Sequence, residues 1–470
     1  MNILLVTIDC LRRDRCGIYG HHRNTTPTLD ALAQEAHVFE NAYATGPVTT
    51  ESFPGILAGR LSAQTIAGST IYQKCLPEGA ETIASHLRDK GWSTTAVISN
   101  PRIGAHVGSD RGFDEFQNLR VPDGESTDDP SGSILPEFVR DISVGDKLYS
   151  LRERMREFEF VPYRYEIPFL GFRYYQYLSG WPSIRGEVVV NQLLDSLSEQ
   201  SSPFFGWTHL MDIHGPLHPH AVTEGGLSKA GSLAQFRSHA RRVSDVYDSQ
   251  IESRYDSAVR YTDMQLGRIV DWLKSNKLWD ETALIVTADH GEALHDRGIY
   301  GHPHHYMYDE LLSVPLVVHA PTRDSERLSR PFSLGWLHNI ITDICEVGSL
   351  EAPLSSSYQW DVTADAADSD ETLLADSISS SGHSVVARRG AKKQVLQDVE
   401  MADLKQRASQ QPGMYHTDYD PKERAWGGSE GDLYEYASEY IVSPEEIKPT
   451  ASSGINRAAE DRLKQLGYAE

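Results

Sequence analysis

The chain has 470 residues, of which 39% are hydrophobic, and its mean hydropathy is −0.43. Its 67 acidic and 44 basic residues give a net charge of −23, which excludes an extensive basic surface for nucleic acid. No stretch is long and apolar enough for a transmembrane helix, so we expect a soluble protein with no membrane span, built as one large domain and a smaller one.

The same composition predicts where the protein works. Arginine outnumbers lysine among the basic residues, and an acidic, lysine-poor surface favours a salt-rich cytoplasm, in which cations screen the repulsion. The opening run MNILLVTID lacks a basic leader and a cleavage-site pattern. The cysteines Cys10, Cys16, Cys75 and Cys345 show no disulfide-like spacing. We therefore expect a cytoplasmic protein with reduced thiols, from a salt-adapted (halophilic) source.

Helices and strands alternate along the first 320 residues. NILLVTID is typical of a buried strand, and the stretch TPTLDALAQEAHVF has apolar residues at helical spacing after a capped start at Thr26-Pro27. Residues 46–60, GPVTTESFPGILAGR, form a turn entering a helix. Later units are ETIASHLRDKGWSTTAVISN, VVVNQLLDSLSEQSSPFFGWTHLM, ESRYDSAVRYTDMQLGRIVDWLKSNKLWDETALIVTAD and the strand VPLVVHAP. This order predicts a mostly parallel sheet flanked by helices.

Other segments predict the domain organisation. Residues 121–182 combine an Asp/Gly/Ser-rich loop with an Arg/Tyr-rich insert, which is either a substrate wall or packing on the body. Residues 350–370 resemble a linker. HSVVARRGAKKQVLQDV is typical of a hairpin and RAAEDRLKQLGYA of a terminal helix. We therefore expect a catalytic α/β domain over 1–348, including the insert, and a small α+β subdomain over 371–470.

Acidic and imidazole side chains follow the predicted strands. Asp9 ends the first strand, and Asp289 and His290 end ALIVTADH. Ligands of open α/β sheets gather beyond the carboxyl ends of the strands, so these residues can meet at one point. Two carboxylates and an imidazole suit one divalent cation, Ca²⁺, Mg²⁺, Mn²⁺ or Zn²⁺. Such an ion would activate the hydroxyl of Thr49 as a nucleophile.

Further histidines follow other strands. His214 comes after FFGWTHLM, and His302 and His304 lie in GHPHHYMYDE. They could protonate a leaving group or hold anionic oxygens. Each residue alone also has a structural explanation: Asp9 could cap a loop, and Thr49 could be only a helix N-cap.

With these residues in this order, the chain resembles the sulfatase family of the alkaline phosphatase superfamily. The matching stretches run in order from residue 2 to 468: NILLVTIDCLRRDRCGIYG, TPTLDALAQEAHVFENAYA, the 46–60 stretch, GFDEF, MDIHGPLHP, YDSAVRYTDMQLGRIVDWL, TADHGEALHDRG, YDELLSVPLVV, DLYEY and RLKQLGY. The resemblance implies an alkaline-phosphatase-like α/β sandwich with a large central sheet and a small C-terminal subdomain containing a four-stranded antiparallel sheet. It also implies hydrolysis of sulfate esters, or of phosphate and phosphonate esters as in relatives, by a metal-bound nucleophile.

The nucleophile position departs from the family pattern. Sulfatases of the common type carry C-x-P-S-R or S-x-P-S-R before an apolar run and T-G-R, and the cysteine or serine becomes formylglycine. Setting ILAGR against that ending puts Thr49 at the formylglycine position, Glu51 at the proline and Phe53 at the arginine. Thr49 therefore resembles the threonine nucleophile of phosphodiesterase, phosphonate hydrolase and transferase relatives, and Thr50 is the neighbouring candidate.

Three further departures change the expected chemistry. Cys10 stands where sulfatases usually have a second Asp, His290 where many have Asn, and His304 near the position of a family lysine. Fewer carboxylates and one more imidazole shift the metal preference from Ca²⁺ towards Mn²⁺ or Zn²⁺. A threonine ester lacks the second hydroxyl by which formylglycine releases sulfate. Phosphate and phosphonate esters therefore fit at least as well as sulfate.

We thus expect a metal-dependent hydrolase of a small-molecule or glycan sulfate or phosphate ester. The alternatives are a phosphotransferase or mutase of the same superfamily, and a non-catalytic descendant that binds sulfated or phosphorylated glycans. The resemblance makes Thr49 the nucleophile and His214 the residue that assists the leaving group, with His302 and His304 on the substrate anion. The metal ligands are Asp9, Thr49, Asp289 and His290, and a second metal held by Asp212, His214, His302 and His304 is the other arrangement.

Overall fold

A computed structural model of the chain describes residues 1–68, 71–120, 184–215, 217–228, 251–296, 300–319, 321, 325–347, 372–389, 392–399 and 432–442. The predicted insert at 121–182, the linker at 350–370 and the terminal helix RAAEDRLKQLGYA lie outside the described residues. The domain boundaries at 1–348 and 371–470 therefore stay a prediction.

The described residues form 15 strands and nine α-helices. The strands are β1 (Asn2–Ile8), β2 (His37–Tyr43), β3 (Ile66–Ala67), β4 (Lys74–Cys75), β5 (Ser93–Ile98), β6 (Glu115–Asn118), β7 (Phe204–Leu210), β8 (Thr282–Ala288), β9 (Ala293–Leu294), β10 (Tyr300–Gly301), β11 (Ser313–His319), β12 (Arg327–Ser333), β13 (Leu373–Ser379), β14 (Gly382–Arg389) and β15 (Lys392–Val399). The helices are α1 (Pro27–Leu32), α2 (Thr49–Ala58), α3 (Ile83–Asp89), α4 (Gly186–Ser198), α5 (Pro219–Gly225), α6 (Ile251–Ser275), α7 (Asp309–Leu312), α8 (Leu337–Val347) and α9 (Asp432–Ser438).

Within the described residues, one large sheet forms the centre of the molecule. Its eight strands lie in the order β12-β2-β11-β8-β1-β7-β5-β6, and all run in the same direction except β11. The predicted mostly parallel sheet is confirmed. The central strand β1 is buried along its whole length, which explains why its sequence is apolar without alternation.

Helices cover the sheet and complete a continuous hydrophobic core. Helices α3 and α4 pack on β5, and α4 also packs on β7 and on the long helix α6. The helix–strand units predicted around Gly91 and before β7 and β8 are confirmed. Gly91, with a φ of 88°, reverses the chain between α3 and β5 in a conformation that favours glycine. Among the helices that the structure describes, none is both long and apolar enough to cross a bilayer.

One predicted element is wrong in its second half. The helix expected over TPTLDALAQEAHVF ends at Leu32, and His37–Tyr43 forms β2. This strand pairs with β11 on one side and β12 on the other, and pairing over many residues overrides local helical spacing. Thr26 does not cap the helix by its side chain; its hydroxyl donates to Asp30 Oδ1 at 2.9 Å.

A small antiparallel sheet, β13-β14-β15, follows the central sheet in the chain. The predicted hairpin is therefore confirmed as β14 and β15. The resemblance implies a four-stranded sheet, and the described residues form three strands. The Asp376 N–H donates to the Thr45 carbonyl at 2.9 Å, and its carboxylate accepts the N–H groups of Ser62 and Ala63, each at 2.8 Å. These bonds hold the small sheet against the segments that flank α2.

Candidate active site

The carboxyl ends of β1, β7 and β8 meet at one edge of the central sheet. Ile8 of β1 pairs with Leu210 on one side and with Ala288 on the other. The next residues along β1 and β8 are Asp9 and Asp289, and both carboxylates are fully buried. Parallel pairing thus places two acidic side chains that are 280 residues apart in the sequence beside each other.

Thr49 is the first residue of α2, and its hydroxyl points to this edge. Val48 is the N-cap residue, and Thr49 Oγ1 lies 3.1 Å from His290 Nε2. The explanation of Thr49 as a helix N-cap is therefore wrong. The Ser52 hydroxyl donates to the Asp289 carbonyl at 2.6 Å, which ties the first turn of α2 to the loop after β8. Thr49 is buried beside the acidic pair.

A backbone contact fixes the orientation of the His290 ring and the tautomer of its neutral form. Its Nδ1 lies 2.8 Å from the Gly291 carbonyl and must donate to it, so Nε2 carries the lone pair of the neutral ring. Nε2 also lies 3.5 Å from Asp289 Oδ2 and 3.8 Å from Asp9 Oδ1. Gly291 is required here, because a Cβ would lie 2.0 Å from the Glu310 carbonyl oxygen. Lone pairs from three side chains therefore face one small space.

The two carboxylates differ in their charge balance. Burial raises the pKa of Asp289, and the charge of Asp9 raises it further. Burial acts in the same direction on Asp9, but the imidazoles of His214, His209 and His290 hold its pKa well below the usual range. An ionised Asp9 next to Asp289 leaves negative charge that a cation would neutralise.

The hydrogen-bond partners of the two Asp289 carboxylate oxygens indicate whether a metal ion fits this site. Asp289 Oδ1 accepts the N–H groups of Cys10 and His290, at 3.3 and 2.9 Å. Asp289 Oδ2 is buried and has no hydrogen-bond partner among the described residues. A buried carboxylate oxygen without a partner is costly, so this atom and the lone pair of His290 fit a bound cation.

The potential ligand atoms around Asp289 Oδ2 are carboxylate oxygens, imidazole nitrogens and the sulfur of Cys10. Ligand atoms of Asp9, His209 and Asp289 lie within 4.8 Å of one another, and the same is true of Asp9, Cys10 and His290. Asp9 Oδ2 accepts a hydrogen bond from Asn100 Nδ2 and lies near His209 Nε2, each at 3.1 Å. Metal-ligating carboxylates are held in position by similar hydrogen bonds from residues that do not themselves touch the metal. Such a set suits a divalent ion.

A second group of side chains lies next to the first. Ligand atoms of Cys10, His214 and His302 are within 4.8 Å of one another. The His302 ring centre lies 5.0 Å from that of His214 and 4.7 Å from that of His290. His302 Nδ1 is 3.1 Å from Glu292 Oε2. The structure therefore brings the predicted residues His214 and His302 to the same edge of the sheet as Asp9 and Asp289.

The imidazoles of this second group titrate differently. Burial lowers the pKa of His302, but the Glu292 carboxylate outweighs it, and the pKa lies above its usual value. Burial lowers the pKa of His214, and the Asp9 charge does not restore it. Burial, with Asp9, raises the pKa of the Cys10 thiol well above the usual range. These opposite shifts favour the protonated form of His302 over that of His214.

His304 occupies a different environment. Its Nδ1 lies 2.9 Å from Glu51 Oε1, and its ring packs beside Tyr72. The same Glu51 oxygen accepts the N–H of Ile378, so α2, His304 and the small sheet are joined through one carboxylate. His304 belongs to none of the groups of metal-ligating side chains found in the described residues.

Two of the four residues predicted for a second metal site, Asp212 and His304, belong to none of the groups of potential metal ligands in the described residues. Asp212 Oδ1 accepts the Gly186 N–H at 2.9 Å, at the start of α4, and Asp212 belongs to no such group in the described part of the chain. A Cβ at Gly186 would lie 2.3 Å from Asp212 Oδ2, so the helix start and the carboxylate are in close contact. Asp212 Oδ1 thus has a partner at the start of α4, whereas Asp212 Oδ2 is buried without a hydrogen-bond partner among the described residues.

The sequence analysis missed several contributors to the site. His209 is a single imidazole inside the apolar strand β7, where nothing in the periodicity separates it from the core. Asn100 follows β5 by two residues, so the rule that used strand ends to find Asp9 could also have found it. Glu292 lies in the recognised TADHGE stretch and was not considered as a partner of His302.

Comparison with known proteins agrees with this geometry. A family model described as Sulfatase matches residues 1–340. The chain belongs to the sulfatase family. The central sheet, the acidic strand ends and α2 all lie within the matched residues.

Individual relatives are distant. Iduronate 2-sulfatase of Mus musculus is 22% identical over 348 residues, covering 69% of this chain and 60% of the relative, so the chain spans less than two thirds of that protein's length. Arylsulfatase of Clostridium perfringens is 24% identical over 351 residues, covering 68% of each chain. The crystal structure of phosphonate monoester hydrolase of Agrobacterium radiobacter has a TM-score of 0.54 at 18% identity, covering 84% of this chain and 87% of the other. That structural similarity concerns the fold.

The candidate metal site predicts a specific loss of metal affinity on mutation. Asp289→Asn replaces the unpartnered Oδ2 by an amide group of similar size. We expect the affinity for Mn²⁺ or Zn²⁺, measured by isothermal titration calorimetry on the full chain, to fall at least about 100-fold, since even outer partners of ligands change it by about 10- to 100-fold. Asp212→Asn is the matched control, because it keeps an acceptor for Gly186 and should bind metal as the wild type does. Equal affinities of all three proteins would exclude Asp289 as a ligand.

Asp212 predicts a pH dependence of stability. Burial raises its pKa to about 7, although the Gly186 N–H opposes this. The unfolded chain releases this proton near pH 4 and the folded protein near pH 7. The contribution of Asp212 to the free energy of unfolding is therefore fully present below pH 4 and falls by about 4 kcal/mol as the pH rises to 7.

Asp212→Asn should remove this contribution. We expect a smaller shift of the urea midpoint between pH 5 and pH 7.5 in Asp212→Asn than in the wild type. The exposed Asp271→Asn should keep the wild-type shift. The same pH dependence in Asp212→Asn and the wild type would contradict the assignment.

Proposed function

We propose that the protein is a metal-dependent hydrolase of sulfate, phosphate or phosphonate esters, with Thr49 as the nucleophile. The observation that carries the proposal is the 3.1 Å contact between Thr49 Oγ1 and His290 Nε2, beside the buried Asp9 and Asp289. Membership of the sulfatase family supports the same reaction class.

Asp9, Asp289, His290 and Thr49 would hold one divalent ion. That ion would polarise the ester oxygens and lower the pKa of the threonine hydroxyl. The Gly291 carbonyl holds the Nδ1 proton of His290, so Nε2 keeps its lone pair for the ion or for the Thr49 proton. The orientation of α2, fixed by Ser52, aims Thr49 Oγ1 at the same space.

The first half of the reaction forms an ester of Thr49. The Thr49 hydroxyl would first give its proton to solvent. Its oxygen then attacks sulfur or phosphorus, and the bond to the leaving alcohol breaks. His302, whose pKa is raised beside Glu292, is placed to give a proton to the departing alcohol oxygen. In the second half, water attacks the same centre and restores the Thr49 hydroxyl. His214 and His304 assist at the leaving group and the substrate anion.

The substrate is a small-molecule or glycan ester. Phosphate and phosphonate esters fit a threonine nucleophile at least as well as sulfate, because the Thr49 ester is resolved by attack at the central atom. Transfer to an acceptor alcohol instead of water is the second candidate, since nothing in a threonine ester favours water over another hydroxyl. The cytoplasmic location, the salt-adapted source and the preference for Mn²⁺ or Zn²⁺ stay predictions.

The nucleophile is tested by variants of two neighbouring threonines. We expect Thr49→Ala to lower turnover of aryl phosphate, bis-aryl phosphate or aryl sulfate at least about 10⁴-fold, as expected for loss of a nucleophile. Thr49→Ser keeps a hydroxyl and should retain measurable turnover. Thr50→Ala is the matched control: the Thr50 hydroxyl is buried without a partner in the described residues, so its loss should leave turnover within a few fold of the wild type.

Product analysis separates the competing functions. A mass increase of one phosphoryl group on Thr49 after rapid quenching supports the proposal. Products carrying an added acceptor alcohol identify a transferase with the same nucleophile. Full turnover by Thr49→Ala would exclude Thr49 as the nucleophile, and no turnover of any of the three substrates with Mn²⁺, Zn²⁺, Mg²⁺ or Ca²⁺ would favour a non-catalytic binding protein.

A further inference from the structure

The hydroxyl of Tyr255 holds the backbone at the turn that follows β1. Tyr255 lies near the start of α6 and is 1% exposed, and its hydroxyl donates to the Cys10 carbonyl at 2.5 Å. The same oxygen accepts the Arg12 N–H at 3.0 Å. Burial raises the pKa of Tyr255 well above its usual range, so the oxygen keeps the proton that it donates. One side chain of α6 therefore closes the turn between Cys10 and Arg12.

The backbone at Cys10 is left-handed, a conformation that residues with a Cβ rarely adopt. Its φ is 63°. Backbone of this kind persists only where the surrounding structure holds it in place. The Cys10 N–H donates to Asp289 Oδ1 at 3.3 Å, which is long for a hydrogen bond, whereas the bond from Tyr255 to the Cys10 carbonyl is short. We therefore expect the tyrosine hydroxyl to be the firmer of these two supports of the turn.

The turn at Cys10 also sets the direction of the Asp9 side chain, because the two residues share a peptide bond. On the strand side, the Asp9 N–H donates to the Leu210 carbonyl at 2.9 Å, which continues the pairing of β1 with β7. On the other side, the next backbone group held from outside the turn is the Cys10 carbonyl, which Tyr255 binds. If the turn relaxed, the peptide between Asp9 and Cys10 would rotate. The Asp9 carboxylate would then move relative to Asn100, which donates to it at 3.1 Å.

We propose that Tyr255 is a positioning residue of the active site. Through its bond to the Cys10 carbonyl, it keeps the turn after β1 left-handed and the Asp9 carboxylate directed at the space that it shares with Asp289. Tyr255 acts through Asp9 and takes no part in making or breaking bonds. The inference rests on the proposed function in taking Asp9 as a metal ligand, whereas the effect of Tyr255 on the position of Asp9 needs no ion.

A second tyrosine of the chain makes the same kinds of bond far from the acidic pair in the sequence. The Tyr19 hydroxyl donates to the Phe39 carbonyl at 2.8 Å and accepts the Leu316 N–H at 3.1 Å, between β2 and β11. Tyr19→Phe and Tyr255→Phe therefore each remove one hydroxyl from one backbone carbonyl and one backbone N–H. Both should lower the urea midpoint, since each leaves two backbone groups without that partner. Tyr19→Phe is thus the matched control for a hydroxyl with a purely structural role.

The position of Asp9 is measured first, in crystals of chelator-treated, full-length wild type, Tyr255→Phe and Tyr19→Phe. We expect Tyr255→Phe to move the Asp9 carboxylate by more than about 0.5 Å, the tolerance within which the groups of a functional site must be held. The contact of 3.1 Å with Asn100 should be lost. Tyr19→Phe should leave Asp9 where it lies in the wild type. An Asp9 carboxylate that keeps its wild-type position in Tyr255→Phe overturns the proposal.

Metal affinity and turnover then separate positioning from stability. We expect Tyr255→Phe to bind Mn²⁺ at least about 10-fold more weakly in isothermal titration calorimetry. Its kcat for aryl phosphate should fall at least about 10-fold, because a misplaced group slows the reaction even when the substrate binds. Tyr19→Phe should match the wild type in both measurements despite its lower urea midpoint. Equal losses of Mn²⁺ affinity in the two variants overturn the proposal. A displaced Asp9 in Tyr255→Phe, together with wild-type Mn²⁺ affinity in Asp289→Asn, overturns the proposed metal site alone.

A glycine at position 10 tests the link through the left-handed turn, and it also covers poor folding of Tyr255→Phe. Glycine adopts this backbone conformation without a steric penalty, so the turn then depends less on the tyrosine hydroxyl. We expect Cys10→Gly, added to Tyr255→Phe, to restore folding if it is lost and to reduce the loss of Mn²⁺ affinity, measured against Cys10→Gly alone. A loss as large in the Cys10→Gly background as in the wild-type background, or folding that glycine does not restore, overturns the proposal.

Discussion

The register of β1 against β8 is the constraint on which the site depends. Ile8 lies opposite Ala288, and the two parallel strands therefore release their next residues, Asp9 and Asp289, at the same level. Neither carboxylate could be brought there by local sequence, since hundreds of residues separate them. Backbone hydrogen bonds in the middle of a buried sheet fix the position of the pair, and the loops can vary around it.

Two buried carboxylates side by side repel each other, and the surrounding residues compensate their negative charge only in part. Imidazoles and the Asn100 amide stabilise the charge on Asp9, whereas burial and Asp9 itself raise the pKa of Asp289. The orphaned Asp289 Oδ2 and the lone pair on His290 Nε2 face the space towards which α2 aims Thr49. A cation in this space would relieve the repulsion between the two carboxylates and would bind both of them, His290 and the threonine hydroxyl as ligands.

The fold and part of the site could be predicted from sequence because buried parallel strands have a distinctive apolar pattern and ligands gather where those strands end. Unalternating apolar runs such as NILLVTI identify buried parallel strands, and polar residues directly after them identify the edge at which ligands gather. Sequence patterns do not predict elements and contacts that depend on residues distant in the chain. His37–Tyr43 is a strand because β11 and β12 pair with it, and Asp212 is engaged by the start of α4. His209 could not be predicted as a site residue because it lies within an apolar strand, where its imidazole has no distinguishing sequence pattern.

The central claim is that Thr49 and the two remote carboxylates share one ion. A crystal of the full chain grown with Mn²⁺ and measured at an anomalous wavelength tests this most directly. The account predicts an anomalous peak within about 2.0–2.3 Å of Asp289 Oδ2, Asp9, His290 Nε2 and Thr49 Oγ1. A peak that lies elsewhere, or a threonine oxygen turned away from the ion, would contradict it.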